Sequence, residues 1–196
     1  MTAEPLLELL SRVKQGDQDA IQELVHDELP RVYNLCLRLC RRPADAEDLC
    51  QDVFVNALRS LKSFKGDSAV STWLYRITVN AWKNRIRHDH RRHQNVHVSI
   101  NSWDADDERP AIDLRDTRLT PEQQMEANES RIVLMKALEL LGPEEKFIVI
   151  LRDIEQKSYE EISKIMDLKV GTVKSRLARA RDHLRELFER RREKRV

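Results

Sequence analysis

Between Tyr159 and Arg181 the chain reads YEEISKIMDLKVGTVKSRLARAR, and no other stretch narrows the possible folds as much. Tyr159, Ile162, Ile165 and Met166 recur at helical spacing. After a short break Val173, Leu177, Ala180 and Leu184 do so again, continuing to Leu187 and Phe188. The pattern predicts two helices around a tight turn. On the second, Lys174, Ser175, Ala178, Arg179 and Arg181 lie opposite the apolar stripe, where no core could hold them. Small and cationic residues at the start of an exposed helix suit the floor of a DNA major groove. Two local details run against the usual chemistry of caps and turns. Lys169 stands before Val170 where a capping residue such as Ser is expected, and Asp167 holds a turn position where Gly is common.

The remaining composition fits helices throughout. Only 4 of 196 residues are Gly and 5% are aromatic, which favours helices with short connections over a β-rich fold. The formal net charge is +1, but the charge is segregated. From Lys169 onward 11 basic residues face 4 acidic ones; from Glu122 to Leu168 there are 11 acidic and 6 basic; from Arg76 to Arg92 there are 6 basic and one Asp. Two separated basic patches predict two nucleic-acid contacts, with acidic surfaces left for other partners. No apolar run reaches the roughly 18 residues that span a bilayer, and the start, MTAEPLLELL, lacks a basic signal n-region, so a cytoplasmic protein is expected. Cys36, Cys40 and Cys50 sit inside apolar helical patterns with no CxxC pair, and are expected to be buried thiols.

The predicted architecture is all-α, with two small helical domains, residues 1–93 and 120–196, joined by a linker over 94–119. In the first, Asp17 is the expected N-cap of a helix whose stripe begins with Ile21, Leu24 and Val25 and resumes with Val32, Leu35, Cys36, Leu39 and Cys40. Pro30 predicts a kink or break between the two runs. A new helix is expected near Asp45, with Leu49, Val53, Ala57 and Leu61 inward. Phe64-Lys65-Gly66-Asp67 reads as a loop, and Ser71 as the cap of a helix turning Leu74, Ile77 and Ala81 inward. The linker NSWDADDERPAIDLRD is polar, acidic and without periodicity. Thr120-Pro121-Glu122-Gln123 then marks a sharp helix start, Gly142-Pro143 ends that helix and opens the next, and Ser158 with Glu161 forms a capping box. On the helix opened at Gly142-Pro143, Phe147, Ile150, Leu151 and Ile154 should face inward.

Two constellations carry chemistry. Arg76, Asn80 and Asn84 recur every fourth residue and therefore share a helix face, flanked by Trp73, Lys83 and Arg87. Asn is a poor interior helix former, and its amide, both donor and acceptor, suits the edge of an unpaired base. Cations beside it would hold phosphates, and Phe64 or Trp73 could stack on a base. A solvated helix face with Trp73 in the core is the plain alternative. The second constellation is Asp48, Gln51 and Asp52, which project together when Leu49 turns inward; alone, such an acidic first turn is ordinary helix capping. His88, His90, His93 and His97 also cluster, His93 and His97 at metal-compatible spacing if helical, but Arg91 and Arg92 would repel a divalent cation, and no metal is expected.

Taken together, these segments resemble the bacterial RNA polymerase sigma factors of the extracytoplasmic-function (ECF) class. DAEDLCQDVF is similar to the family's core-binding helix, FKGDSAVSTWLYRITVNAWKNRIR to its −10-reading segment, and SYEEISKIMDLKVGTVKSRLARAR to its −35-reading helix-turn-helix, in family order and spacing from about Leu9 to Leu187. The resemblance implies that Asp48, Gln51 and Asp52 dock on the clamp helices of the polymerase largest subunit. It implies that Asn80 and Asn84, with Phe64 in the preceding loop and Trp73, Arg76, Lys83 and Arg87 around them, capture an extruded −10 base. Thr172, Lys174, Ser175, Arg176, Ala178 and Arg179 fall at the start of the −35 recognition helix: Ser175, Ala178 and Arg179 share the groove-facing side, while Lys174 and Arg176 flank it and suit phosphates. The acidic linker would thread through the polymerase. The implied partners are core RNA polymerase and promoter DNA, duplex at −35 and single-stranded at −10. With no autoinhibitory extension before the first block, a separate anti-sigma protein, membrane-bound in many relatives, is a further expected partner. No cofactor is implied, and catalysis would belong to the polymerase.

Two other classes compete. A stand-alone helix-turn-helix regulator binding operators as a dimer would leave the Asn80/Asn84 face and the Asp48 patch idle. A metal-dependent hydrolase built on the histidines would lack paired carboxylates and a buried scaffold.

Overall fold

The computed structural model of the chain describes residues 3–40, 42–64, 66, 68–93 and 121–193. Among these it contains eight α-helices and no strand: α1 (Ala3–Lys14), α2 (Gln18–Leu39), α3 (Pro43–Ser60), α4 (Val70–His93), α5 (Pro121–Leu138), α6 (Pro143–Val149), α7 (Tyr159–Met166) and α8 (Val170–Glu193). They divide into two compact units, residues 1–107 and 108–196.

In the first unit α3 packs on both α2 and α4, with α1 laid against α2. Asp17 caps α2, its Oδ1 accepting the N–H groups of Asp19 at 3.0 Å and Ala20 at 3.2 Å. The Ala20 bond and an ion pair with Arg12 hold its carboxyl below the usual aspartate range. Gly16 makes the preceding turn at φ 87°, a left-handed backbone that glycine adopts without a Cβ penalty.

The expected break at Pro30 does not occur, because α2 continues through it to Leu39. The exposed proline forfeits one helical N–H bond, but Ala20 and Leu24 before it and Val32, Leu35, Cys36 and Leu39 after it are buried in the same bundle. Burying a Leu side chain contributes about 1.5–3 kcal/mol, so several of them outweigh the roughly 3 kcal/mol cost of an interior proline. The next helix starts at Pro43, two residues before Asp45, since proline suits the first helical position. Its buried face is the expected Leu49, Val53 and Ala57, with Leu61 in the short 3₁₀ turn that follows. Cys36 and Cys50 are buried as free thiols, while Cys40 is only half-buried and lies 3.6 Å from the Asp45 carbonyl. A hydrogen bond with Cys50, aided by burial, pushes the Cys36 thiol up.

Two expectations for α4 need correction. Ser71 is not its cap: the helix begins at Val70, which is buried, and the Trp73 N–H already donates to the Ala69 carbonyl at 3.1 Å. The inward stripe is Leu74, Tyr75, Thr78, Val79 and Trp82, leaving Ile77 and Ala81 half-buried at its margin. The rings of Tyr75 and Trp82 take the core. Thr78 joins them because its hydroxyl is satisfied by donating to the Leu74 carbonyl at 2.9 Å.

In the second unit α5, α6 and α7 all pack on α8. Pro121 opens α5 as expected; Thr120 and the acidic linker lie outside the described residues. Glu145 accepts the Gly142 N–H at 3.0 Å at the start of α6. This helix runs into a π turn, Ile150–Ile154, closed by the Glu155 N–H on the Ile150 carbonyl at 2.9 Å. Phe147, Ile150 and Leu151 are buried, whereas Ile154 is only half-buried. The Ser158–Glu161 capping box is present in both directions, at 2.8 and 3.1 Å, and holds the Glu161 carboxyl below its usual range.

Candidate nucleic-acid interface

The turn between α7 and α8 depends on one residue. Asp167 takes the left-handed conformation (φ 55°, ψ 51°), and its N–H closes α7 on the Ser163 carbonyl. The Ser163 hydroxyl then donates to the Leu168 carbonyl. Helix α8 starts at Val170, the Val173 N–H bonding the Lys169 carbonyl at 3.0 Å, so the backbone of Lys169 begins the helix without help from a capping side chain such as Ser.

Val173, Leu177 and Ala180 bury the inner face of α8, which turns Lys174, Ser175, Ala178 and Arg179 outward. Leu184, Leu187 and Phe188 are half-buried rather than core. Thr172 is half-buried, its carbonyl receiving the Ser175 hydroxyl at 3.1 Å. The Arg179 Nε reaches the Ser175 carbonyl at 3.4 Å, which lays its guanidinium along the exposed face. Tyr159, expected inside, is half-buried and has two cations at its ring, Arg152 4.7 Å and Lys174 5.4 Å from the centroid. Such contacts contribute about 0.5–1 kcal/mol at exposed sites and orient the lysine.

Arg176 does not stand as a free flanking cation. It is ion-paired with Glu144 at the start of α6. Arg181 pairs likewise with Asp153 in the π turn, and His183 Nδ1 lies 3.0 Å from Glu145. Three acidic groups of one short segment therefore engage three side chains of α8, Arg176 and His183 on one margin of its buried stripe and Arg181 on the other. Sequence spacing missed these pairs because their partners lie 28 to 38 residues away; only the acidic bias of the segment hinted at them.

On α4, Arg76, Asn80, Asn84 and Arg87 are all exposed, opposite the Leu74–Trp82 core stripe. Lys83 is half-buried at the edge of this row, and His88 extends it. At the head of the row Trp73 is half-buried against Phe64, ring centroids 4.9 Å apart at 38°. Phe64 itself is only 6% exposed, so its ring supports Trp73 from behind and offers no open face for a base. The Lys14 Nζ donates to the Phe64 carbonyl at 2.8 Å, tying the end of α1 to this loop. His90 and His93 lie on the last turns of α4 with side chains outside the description, and His97 lies outside the described residues.

Asp48, Gln51 and Asp52 are exposed together on α3, continued by exposed Val55 and Leu58. A bridge behind this patch was not foreseen. The Arg85 Nη2 of α4 donates to the Asp45 Oδ1 at 2.8 Å and lies 3.6 Å from the Asp48 Oδ2. Arg42 grips the same Asp45 carboxylate with Nε at 2.9 Å and Nη2 at 3.1 Å. The Arg42 hydrogen bond foremost, with help from Arg85, keeps the Asp45 carboxyl below its usual range.

Comparison with known proteins gives these surfaces a family. The Sigma-70 region 2 model matches residues 24–92 and the Sigma-70, region 4 model matches residues 131–184. An ECF RNA polymerase sigma-E factor of Haemophilus influenzae is 40% identical over 174 residues, covering 89% of this chain and 90% of that protein. The Escherichia coli protein of the same description is 38% identical, with 89% of each covered. Among solved structures, the sigma factor RpoE of Bartonella quintana, in complex with the anti-sigma factor NepR, matches with TM-score 0.63 and 28% identity over 86% of this chain and 96% of that one. CnrH, in complex with the cytosolic domain of CnrY, shares the fold at TM-score 0.62 and 22% identity, covering 92% and 95%. A chain carrying both sigma regions is a promoter-directing initiation factor. Within that class, this chain belongs to the ECF sigma factors of bacterial RNA polymerase.

Proposed function

We propose that the chain docks on core RNA polymerase through the Asp48, Gln51 and Asp52 face of α3 and grips the promoter at two points. Residues 1–93 capture an unpaired −10 base on the Asn80 and Asn84 amides. Arg76, Lys83 and Arg87 hold the adjoining phosphates, and Trp73, backed by Phe64, forms an aromatic wall. Residues 120–196 read the −35 duplex, with Ser175, Ala178 and Arg179 toward the groove and Thr172 and Lys174 at its margin. Arg176 reaches a phosphate only by leaving Glu144. The linker 94–119 joins the two grips, and the polymerase performs the chemistry.

The observation that carries this reading is the α4 stripe: Arg76, Asn80, Asn84 and Arg87 exposed in one row beside a partly open tryptophan. A stand-alone dimeric regulator would have no use for amides suited to an unpaired base. The family supports an anti-sigma protein as a further partner, as the Bartonella quintana sigma factor has in NepR. No described helix is long and apolar enough to cross a membrane, and we assign the chain to the cytoplasm, where its polymerase works.

Purified protein added to core polymerase should direct transcripts with defined 5′ ends. Asn80→Ala should lower promoter opening, read by permanganate reactivity of unpaired thymines, while core affinity stays within about twofold of the parent. Loss of core binding in parallel would make Asn80 a structural residue, and tight duplex binding without core would favour the stand-alone regulator.

A further inference from the structure

Arg42, Asp45, Asp48 and Arg85 bring two cations and two anions together at the junction of α3 and α4. Asp45 is shared by two guanidiniums, Arg42 on both of its oxygens and Arg85 on Oδ1. Arg85 also reaches Asp48, 3.6 Å away, whose side chain is still 68% exposed. Arg85 is fixed in place by two contacts to Asp45, Nη2 to Oδ1 and a longer one from Nη1 to the backbone carbonyl at 3.4 Å. Asp48 thus faces two ways: inward to a held arginine of α4 and outward with Gln51 and Asp52.

We propose that Arg85 competes with core polymerase for the Asp48 carboxylate, so that it restrains docking of α3. This rests on the reading of Asp48, Gln51 and Asp52 as the docking face. A cationic group of the polymerase approaching Asp48 must displace the field of Arg85, and the affinity it gains is reduced accordingly. Because Arg85 follows Asn84 directly on α4, the same event alters the charge beside the −10 face when core binds.

The competition assigns opposite signs to two changes that both break the Arg85–Asp45 pair. Arg85→Met strips the competitor from Asp48 and should tighten core binding, measured by fluorescence competition with the full-length protein, by about two- to fivefold, the range of an exposed ion pair. Asp45→Asn frees Arg85 for Asp48 and should weaken core binding by a similar factor. Both differences should shrink as salt is raised, since the groups are solvent-screened. A merely structural bridge would make both variants bind core more weakly, and that result would overturn the proposal. Unchanged affinity in both would overturn it equally. Asp48→Asn is the control beneath it: it should weaken core binding by itself, and if it has no effect the docking assignment fails, whatever Arg85 does.

Discussion

At the scale of single residues, the turn that sets α8 rests on a backbone conformation that its occupant does not favour. Asp167 holds φ 55° and ψ 51° with an exposed side chain. A left-handed conformation costs most side chains 1–2 kcal/mol, less for Asp, and glycine nothing of the kind. Its carboxylate lies at the negative end of α7 but near the positive start of α8, so the two helix-end effects offset. Asp167→Gly should therefore stabilise the chain by about 0.5–1 kcal/mol even after glycine's entropy in the unfolded state is counted. Thermal unfolding followed by circular dichroism should register a higher Tm; a lower one would mean that the Asp167 side chain has a role the backbone does not explain.

At the scale of elements, α2 tests how far packing overrides a local signal. Pro30 is exposed in mid-helix, and its ring denies one N–H bond to the preceding turn. Pro30→Ala should restore that bond and raise stability by about 1–3 kcal/mol, read as an increase in the urea midpoint with unchanged slope. No change would mean that the missing bond is already compensated in the parent. The same contest explains what was legible beforehand. Capping chemistry is local, so Asp17, Gly142-Pro143 and Ser158–Glu161 could be read directly from the chain. The rotation of α4 was not, because the identity of its core face depends on Tyr75 and Trp82 meeting α2 and α3. The exposed Arg76–Asn80–Asn84 row was predictable from spacing alone, whereas the burial of Phe64 depended on its partner Trp73. Arg176, Arg181 and Arg85 show the limit most clearly. Each sits at a position whose sequence context reads as a free cation, and each is engaged by a carboxylate that only the tertiary fold brings near.

At the scale of the whole molecule, the two proposed DNA-reading faces belong to different compact units, Asn80 to residues 1–107 and Arg179 to residues 108–196. The proposal gives each face its own promoter element, so their contributions to promoter recognition should be close to independent. Arg179→Ala removes a groove-facing donor and should cost about 1–3 kcal/mol of discrimination at one −35 position. Asn80→Ala acts on an unpaired base and should leave −35 preference untouched. With core polymerase saturating, the free-energy loss of the double variant, measured from promoter-complex stability, should equal the sum of the single losses to within about 0.5 kcal/mol. Scrambling the −35 element should abolish the Arg179→Ala effect and preserve that of Asn80→Ala. An Asn80→Ala effect that disappears with the −35 sequence would mean that one unit's contact is required before the other can form, and the two grips would then act in obligatory order rather than as independent parts of one promoter clamp.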